Sequence, residues 1–481
     1  MDMSPTAMLK TLGPRMPLIL KTTVLHTLGW SETASKQDLQ TELLIAIIRS
    51  FMDGSNPMPL SKMQKLSMKD PGIKGNMWVS KVTVPKPPED DVRQLLFRVI
   101  EEMKEGDETY TKPDLLPVEA EWVGYRSNVD KNAPEPSISE SEKYEHLMGE
   151  VESKVTMLYF HGGAMYLMDP CTHRGLESTL ANLSGGRTYS VRYRLSPQGP
   201  FPAALLDALV SYLALLCPPA GALHEPVSPS NIVLTGDSAG GNLCMALLQL
   251  LLHINGQTLK FYGQDVTVRL PAGVATSSPW EDVTRSLPSL ETNAKFDYLP
   301  PPSNSRYKTF PTCDIWPTKP PRVDIYCDGS AMSHPLVSPL AAKSWAGAPP
   351  IFFLLGQEML EDENKVIAGQ AVKQGVKVVW EQYEALPHHF IMMMEWIEAS
   401  KMAYKSWGKF IKDVVERPEE VKTSGTWVTA KKLERQNLDL SKLDVLSEDE
   451  VRRRMKEFQA KRREGEEKEG KVEPAQPVPK L

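Results

Sequence analysis

The chain is short of the residues that staple small or metal-bound domains together. Cysteine occurs only five times in 481 residues, at Cys171, Cys217, Cys244, Cys313 and Cys327, always singly, without a C-x-x-C pair or a histidine-rich neighbour. So sparse and odd a set argues against a disulfide framework and a structural zinc, and it fits a reducing compartment. An excess of one charge is also missing. The net charge is −6 with both signs interspersed, so no nucleic-acid partner is expected. Long hydrophobic runs are absent too: Met16 to Leu20 is interrupted at Lys21, Thr22 and Thr23 before Val24 to Trp30 resumes, short of the roughly 20 residues of a membrane span. Met1 to Gly13 lacks the charged, apolar, small-residue order of a secretory signal. These absences point to an intracellular protein, cytoplasmic or peripherally attached to a membrane.

Apolar residues make up 41% of the chain, enough for a substantial core, and the length suits one large α/β domain with additions. The most informative stretch is N-I-V-L-T-G-D-S-A-G-G-N, Asn231 to Asn242. A short apolar run stops at Gly236, Ser238 follows, and after two more glycines an apolar segment runs from Leu243 to Leu252. That order reads as strand, sharp turn and helix, with glycines where a Cβ would clash. The serine is pushed out at the end of the sheet, and the helix aims its free N–H groups and positive dipole end at the same place. Ser238 is therefore the candidate nucleophile.

Upstream, Met77 to Val84 and Val118 to Tyr125 read as strands, Asp90 to Lys104 as a helix, and Ser127 to Lys143 as an exposed connection. Lys154 to Phe160 is an apolar strand ending on His161-Gly162-Gly163-Ala164. A strand that ends this way leaves backbone N–H groups uncovered in a loop able to fold over the serine. With the N–H of Ala239, Gly162 and Gly163 are the candidate oxyanion hole. Strand Tyr189 to Tyr193 and helix Ala203 to Leu216 follow, so strands and helices alternate as a parallel sheet covered on both faces requires.

A serine hydroxyl needs a base, and the base needs a group that holds its tautomer. In this architecture both lie after the serine, the acid first. Strand Pro350 to Leu355 is followed by Glu358, Glu361, Asp362 and Glu363; strand Val376 to Tyr383 is followed by His388-His389-Phe390. His388 is the chosen base, because Phe390 can then pack down while the imidazole faces the serine, and His389 is the fallback. Glu358 is the carboxylate nearest the strand end, with Asp362 as the alternative acid.

The motifs H-G-G-A (161–164), Y-R-L-S-P (193–197), G-D-S-A-G-G-N (236–242), S-P-W (278–280), H-P-L-V-S-P (334–339) and H-H-F (388–390) resemble those of the hormone-sensitive lipase family of α/β-hydrolases. The resemblance spans roughly Val118 to Lys412. It implies an α/β-hydrolase fold, a mostly parallel sheet with helices on both faces and an N-terminal helical cap. It also implies a Ser238, His388, acid triad and an oxyanion hole from Gly162, Gly163 and Ala239. Where the family carries D-P-L-x-D-E, this chain has E-M-L-E-D-E, which aligns Glu358 with the catalytic aspartate and Asp362 with the second one. The N-terminal extension and charged tail look most like a fungal branch similar to steryl acetyl hydrolases and arylacetamide deacetylases. That implies removal of short acyl groups from a hydrophobic alcohol, sterol-like or a secondary metabolite.

The expected organisation is an extension and cap over 1–110, the catalytic domain over 111–416 and a charged appendage over 417–481. Pro17 to Trp30 and Leu43 to Met52 either cover part of a hydrophobic pocket or lie on a membrane surface. Their polar faces are not especially basic, which favours the pocket. The Pro-rich stretch between Trp280 and Asp328 is expected to line the pocket entrance with Trp280, Tyr298 and Trp316, and Ile391 to Val415 to form one long helix. In the appendage a capping box at Ser447 and Glu450 starts a helix with Val451, Met455 and Phe458 on one stripe, and 465–481 reads as disordered. The expected activity is that of a serine carboxylesterase acting on a small hydrophobic ester without cofactor or metal. Two alternatives use the same fold: a ligand-binding receptor or scaffold without catalysis, and an acyltransferase sharing the triad.

Overall fold

The run Ile232 to Asp237 lies in the interior of a ten-stranded sheet, which is why it is apolar without alternation: both of its faces are covered. The structure is a computed structural model and describes residues 12–52, 57–303, 310–443 and 446–469. Helices α1 (Met16–Thr27) and α2 (Leu39–Met52) run antiparallel, tied by Arg15 Nε to Ser50 Oγ at 2.7 Å and His26 Nδ1 to Glu42 Oε2 at 2.6 Å. Helix α3 (Leu60–Ser67), strand β1 (Met77–Val84), helix α4 (Asp91–Met103) and strand β2 (Val118–Tyr125) follow. Among the described residues no helix is long and apolar enough to cross a membrane.

The connection expected to be exposed from Ser127 to Lys143 becomes helical at its end. Ser139 accepts from the Glu142 N–H and Glu142 reaches back to Ser139, a reciprocal cap that starts α5 (Glu140–Gly149) and buries Tyr144 and Leu147 one turn apart.

The alternating part of the chain is β3 (Thr156–Phe160), α6 (Arg174–Ser184), β4 (Arg187–Arg192), α7 (Ala203–Leu216), β5 (Ile232–Asp237) and α8 (Ala239–Ile254). A separate hairpin, β6 (Thr258–Phe261) and β7 (Gln264–Thr267), precedes β8 (Gly273–Ser277). Then come α9 (Ser289–Thr292), β9 (Ile351–Gly356), α10 (Glu361–Lys373), β10 (Val378–Tyr383), α11 (Phe390–Met393) and α12 (Glu398–Glu416). With two further strands, β11 (Ser424–Val428) and β12 (Arg435–Asn437), the sheet order is β1-β2-β4-β3-β5-β8-β9-β10-β11-β12, parallel from β4 to β11 and antiparallel at both ends. The period of two along each strand sorts its side chains between two cores. Leu158 and Phe160 join the layer holding α7 and α8, while Met157 and Tyr159 join the layer holding α6 and α12. On the latter side Arg174 is almost fully buried, its Nε and Nη2 donating to Glu121 at 2.6 Å and its Nη1 and Nη2 to Asp70 at 2.7 and 3.1 Å.

Two expectations change here. The long helix expected from Ile391 breaks at Met394 to Ile397, separating α11 from α12, with Phe390 packed on Tyr383 at a ring distance of 5.0 Å. The segment expected as a charged appendage also extends the sheet, through β11 (Ser424–Val428), parallel to β10, and β12 (Arg435–Asn437). Both strands are short and set among lysines, arginines and glutamates, so their period-two signal is faint. After them α13 (Glu448–Glu469) buries Val451 and Met455, and Arg462 donates to Asp324 at 2.6 Å. Residues 470–481, part of the stretch read as disordered, lie outside the described residues.

Candidate active site

The link between β5 and α8 is too tight for ordinary backbone. Ser238 has φ 51° and ψ −119°, a conformation that a residue with a side chain adopts only under constraint. The constraint is visible at its neighbours. A Cβ on Gly240 would stand 1.8 Å from the Phe160 carbonyl oxygen at the end of β3, and one on Gly236 2.6 Å from the same atom. The turn is held by the Ser238 N–H to the Ser277 carbonyl at 3.0 Å and by the Trp280 N–H to the Ser238 carbonyl at 3.0 Å.

The loop after β10 brings His388 to this serine, with Nε2 2.9 Å from Ser238 Oγ. On the other side of the ring, Nδ1 lies 2.5 Å from Glu358 Oε2, in the loop after β9. An ionised carboxylate only accepts, so Nδ1 carries the proton and Nε2 is free to accept from the serine hydroxyl. Burial works to lower the basicity of His388, but the charge and hydrogen bond of Glu358 outweigh it, and the net shift is upward from the ordinary histidine value. The Tyr298 ring stands edge-on to His388, with centroids 6.0 Å apart.

The alternatives go elsewhere. Asp362 sits in the first turn of α10 and accepts from the Ser289 N–H at 2.8 Å, so it ties α9 to α10 rather than reaching the imidazole. His389, at φ 45°, turns away from the serine. Its Nδ1 lies 3.1 Å from Ser277 Oγ and its Nε2 3.5 Å from Asp237 Oδ2.

The loop Gly162–Met165 departs from expectation at one residue. The Gly162 N–H donates to Asp237 Oδ1 at 3.1 Å, so it is not available to an oxyanion, which corrects its assignment as a donor. Gly163, Ala164 and Met165 follow with φ values of 108°, 54° and 66°. Among the described residues the N–H groups of Gly163, Ala164 and Ala239 make no internal hydrogen bond. Ala164 was missed because the acceptor that occupies the preceding donor is distant in sequence. The available signal was a third N–H in the H-G-G-A run.

Asp237 is the anchor of this loop. It also accepts from the Tyr159 hydroxyl at 2.7 Å, and His173 Nε2 lies 3.3 Å from its Oδ1. His173, Asp237 and His389 are the group among the described residues whose donor atoms come close enough together to suit a metal ion. Burial pushes His389 down to about 4 against the pull of Asp237, leaving it neutral. With hydroxyls at their other nitrogens, Thr172 Oγ1 for His173 and Ser277 Oγ for His389, both imidazoles stand close to the Asp237 carboxylate without a well-aligned hydrogen bond to it.

A hydroxyl hydrogen-bonded to an oriented imidazole, with one unspent N–H at the start of α8 and two more in the loop after β3, is an arrangement for acyl transfer. Residues 157–392 match the family model described as alpha/beta hydrolase fold. An acetyl-hydrolase of Streptomyces hygroscopicus is 31% identical over 234 residues, covering 48% of this chain and 67% of that protein. An esterase of Acinetobacter venetianus is 28% identical over 269 residues, covering 55% of this chain and 77% of that protein. Among solved structures, an esterase from the bacterial hormone-sensitive lipase family overlays with a TM-score of 0.52 at 22% identity, covering 79% of this chain and 99% of that one; this last likeness is one of fold.

Proposed function

The chain belongs to the α/β-hydrolase family that its matched segment and its acetyl-hydrolase relative share, and from that premise we propose that it is a serine carboxylic ester hydrolase of the hormone-sensitive lipase type, releasing short acyl groups from esters of a hydrophobic alcohol through an acyl-enzyme on Ser238. The observation that carries the reading is the unbroken relay from Ser238 Oγ through His388 to Glu358, at 2.9 and 2.5 Å. His388 Nε2 takes the hydroxyl proton as Oγ attacks the acyl carbon. The oxyanion that forms is met by the N–H groups of Gly163, Ala164 and Ala239, a reading supported by their having no internal acceptor among the described residues. His388 then passes the proton to the departing alcohol oxygen. Water, deprotonated by the same nitrogen, releases the acid. Glu358 holds Nδ1–H throughout and stabilises the imidazolium that appears in both steps.

Short acyl chains are favoured because the Streptomyces relative is an acetyl-hydrolase at 31% identity. The test is hydrolysis of p-nitrophenyl esters from acetyl to dodecanoyl, with Ser238→Ala as the blank. Turnover highest at the shortest chains and absent from the blank is the expected result. A rate that climbs with chain length overturns the short-acyl assignment, and equal rates in wild type and blank overturn the nucleophile. Addition of a competing alcohol separates hydrolysis from acyl transfer, since a transferase would divert product into the new ester.

A further inference from the structure

The acid and the base of the relay stand on separate loops, after β9 and after β10, which meet outside the triad where the Ala385 N–H donates to Gln357 Oε1 at 3.2 Å. A third segment joins them. In the connection between β8 and β9, the turn Ala294–Phe296 is flanked by Asn293 and Asp297. Asn293 Nδ2 donates to the Glu358 carbonyl at 2.9 Å. Asp297, fully buried, accepts from the Met359 N–H at 2.9 Å through Oδ2. Its other oxygen accepts from the His388 N–H at 3.3 Å and the Leu299 N–H at 3.2 Å. One side chain thus grips the backbone of the base and the residue next to the acid, while Asn293 grips the acid's own carbonyl.

The clip is itself held from the N-terminal extension. Arg49, near the end of α2, donates from Nε to the Asp297 carbonyl at 2.6 Å and from Nη2 to the Ala294 carbonyl. A planar guanidinium fork across two carbonyls fixes the turn as a unit, which a lysine point charge does not. These bonds run from the cap to both non-nucleophilic members of the relay.

We infer that Asp297 and Arg49 are positioning residues, and that the seating of α2 on the Ala294–Phe296 turn sets the separation of Glu358 and His388. The inference rests on the ester-hydrolase reading of the same triad. Its physical basis is that a reacting geometry tolerates little: a displacement of about 1 Å costs roughly 100-fold in rate. Asp297 touches no reacting atom and acts through the two loops. The charged and titratable groups that face His388 are Glu358, Asp297 and Asp237, with His389 beside it and the Tyr298 ring at its edge.

The experiment compares wild type, Asp297→Asn, Arg49→Met and Ser238→Ala in the full chain. Three readouts are taken: kcat and KM on p-nitrophenyl acetate, the labelling rate with a small fluorophosphonate, and the pH at which activity is half lost. Asparagine leaves one of the gripped N–H groups facing an amide NH2, so Asp297→Asn should lower kcat and labelling by roughly 10- to 100-fold, with KM little changed. Arg49 is only half-buried, so Arg49→Met should fold, and it should lower both rates about three- to tenfold. It should also move the acid limb to lower pH, because a loosened Glu358 no longer raises His388. Loss of the arginine charge by itself would move that limb upward, so the sign separates repositioning from simple electrostatics. Arg49→Met with wild-type kcat, labelling and acid limb, beside an inactive Ser238→Ala, overturns this inference and leaves the ester-hydrolase reading standing. A change in KM alone overturns it as well, since the cap would then act on binding. Full activity in Ser238→Ala overturns both.

Discussion

Replacing Glu358 by glutamine removes one charge from a buried pair and changes almost nothing else in volume. When His388 takes the serine proton, an imidazolium forms against the carboxylate whose oxygen lies 2.5 Å from Nδ1. With charge centres about 4 Å apart and an effective dielectric near 20, that attraction is about 4 kcal/mol. The glutamine cannot supply it, which corresponds to roughly a 10³-fold loss in kcat. KM should change little, because the lost interaction is made in the transition state and not with bound ester. The acid limb of the rate profile should move to lower pH, since Glu358 is what raises His388 against burial. Asp362→Asn is the matched control. Its oxygen accepts from the Ser289 N–H at 2.8 Å, a task the asparagine carbonyl can take over, so a stability loss under about 1 kcal/mol is expected with kcat nearly intact. Steady-state hydrolysis of p-nitrophenyl acetate across about two units either side of the ordinary histidine pKa decides the matter. A 10³-fold loss in Asp362→Asn, roughly the size worked out for Glu358, beside a nearly active Glu358→Gln would refute the assignment of the orienting carboxylate.

The wild-type rate should fall as the pH drops through a value above about 6.5, because the base works unprotonated and its folded pKa is raised; activity persisting well below that value refutes the base. Gly240→Ala puts a methyl 1.8 Å from the Phe160 carbonyl oxygen, an overpacking that should cost about 3 kcal/mol or more in a thermal melt. Gly175→Ala, in the first turn of α6 with open space around the added atom, should gain up to about 1 kcal/mol in the same assay. Arg174→Met leaves Glu121, which is 1% exposed, without its two hydrogen bonds and with only a long ion pair to Arg192 Nη2 at 3.8 Å among the described residues, and should lose about 3 kcal/mol. Adding Glu121→Gln should recover most of that loss, and a double variant no more stable than the single one would show that charge burial is not the cause.

What the sequence made legible was local. Ser238 announces itself because strand, glycine turn and helix start fall within twelve consecutive residues, Asn231 to Asn242, and His388 and Glu358 because each follows an apolar strand in the required order. The choice between His388 and His389 rested on the packing of Phe390, and in the structure the left-handed φ of His389 turns the two rings apart. The Gly162 assignment failed on a distant fact, since its N–H is taken by the carboxylate of Asp237, 75 positions further on. The role of the Asn293–Asp297 turn is hidden for the same reason. It lies in a proline-rich connection without periodicity, and what it does is done by hydrogen bonds to loops that follow much later. Strands β11 and β12 escaped because five and three residues set among charges give no readable alternation.

Those two strands have a consequence for how the molecule keeps to itself. With β11 alongside, Val379 to Tyr383 have backbone partners on both sides, Phe352 to Gly356 on one and Ser424 to Val428 on the other. A chain ending at Glu416 would leave the outer row of β10 bare, immediately before the loop that carries His388. An uncovered parallel strand of that kind is a template for another copy. The charged tail therefore works as a selvedge: it finishes the fabric at the side where it would otherwise unravel into aggregates, and beyond it β12 presents only three exposed residues to the solvent.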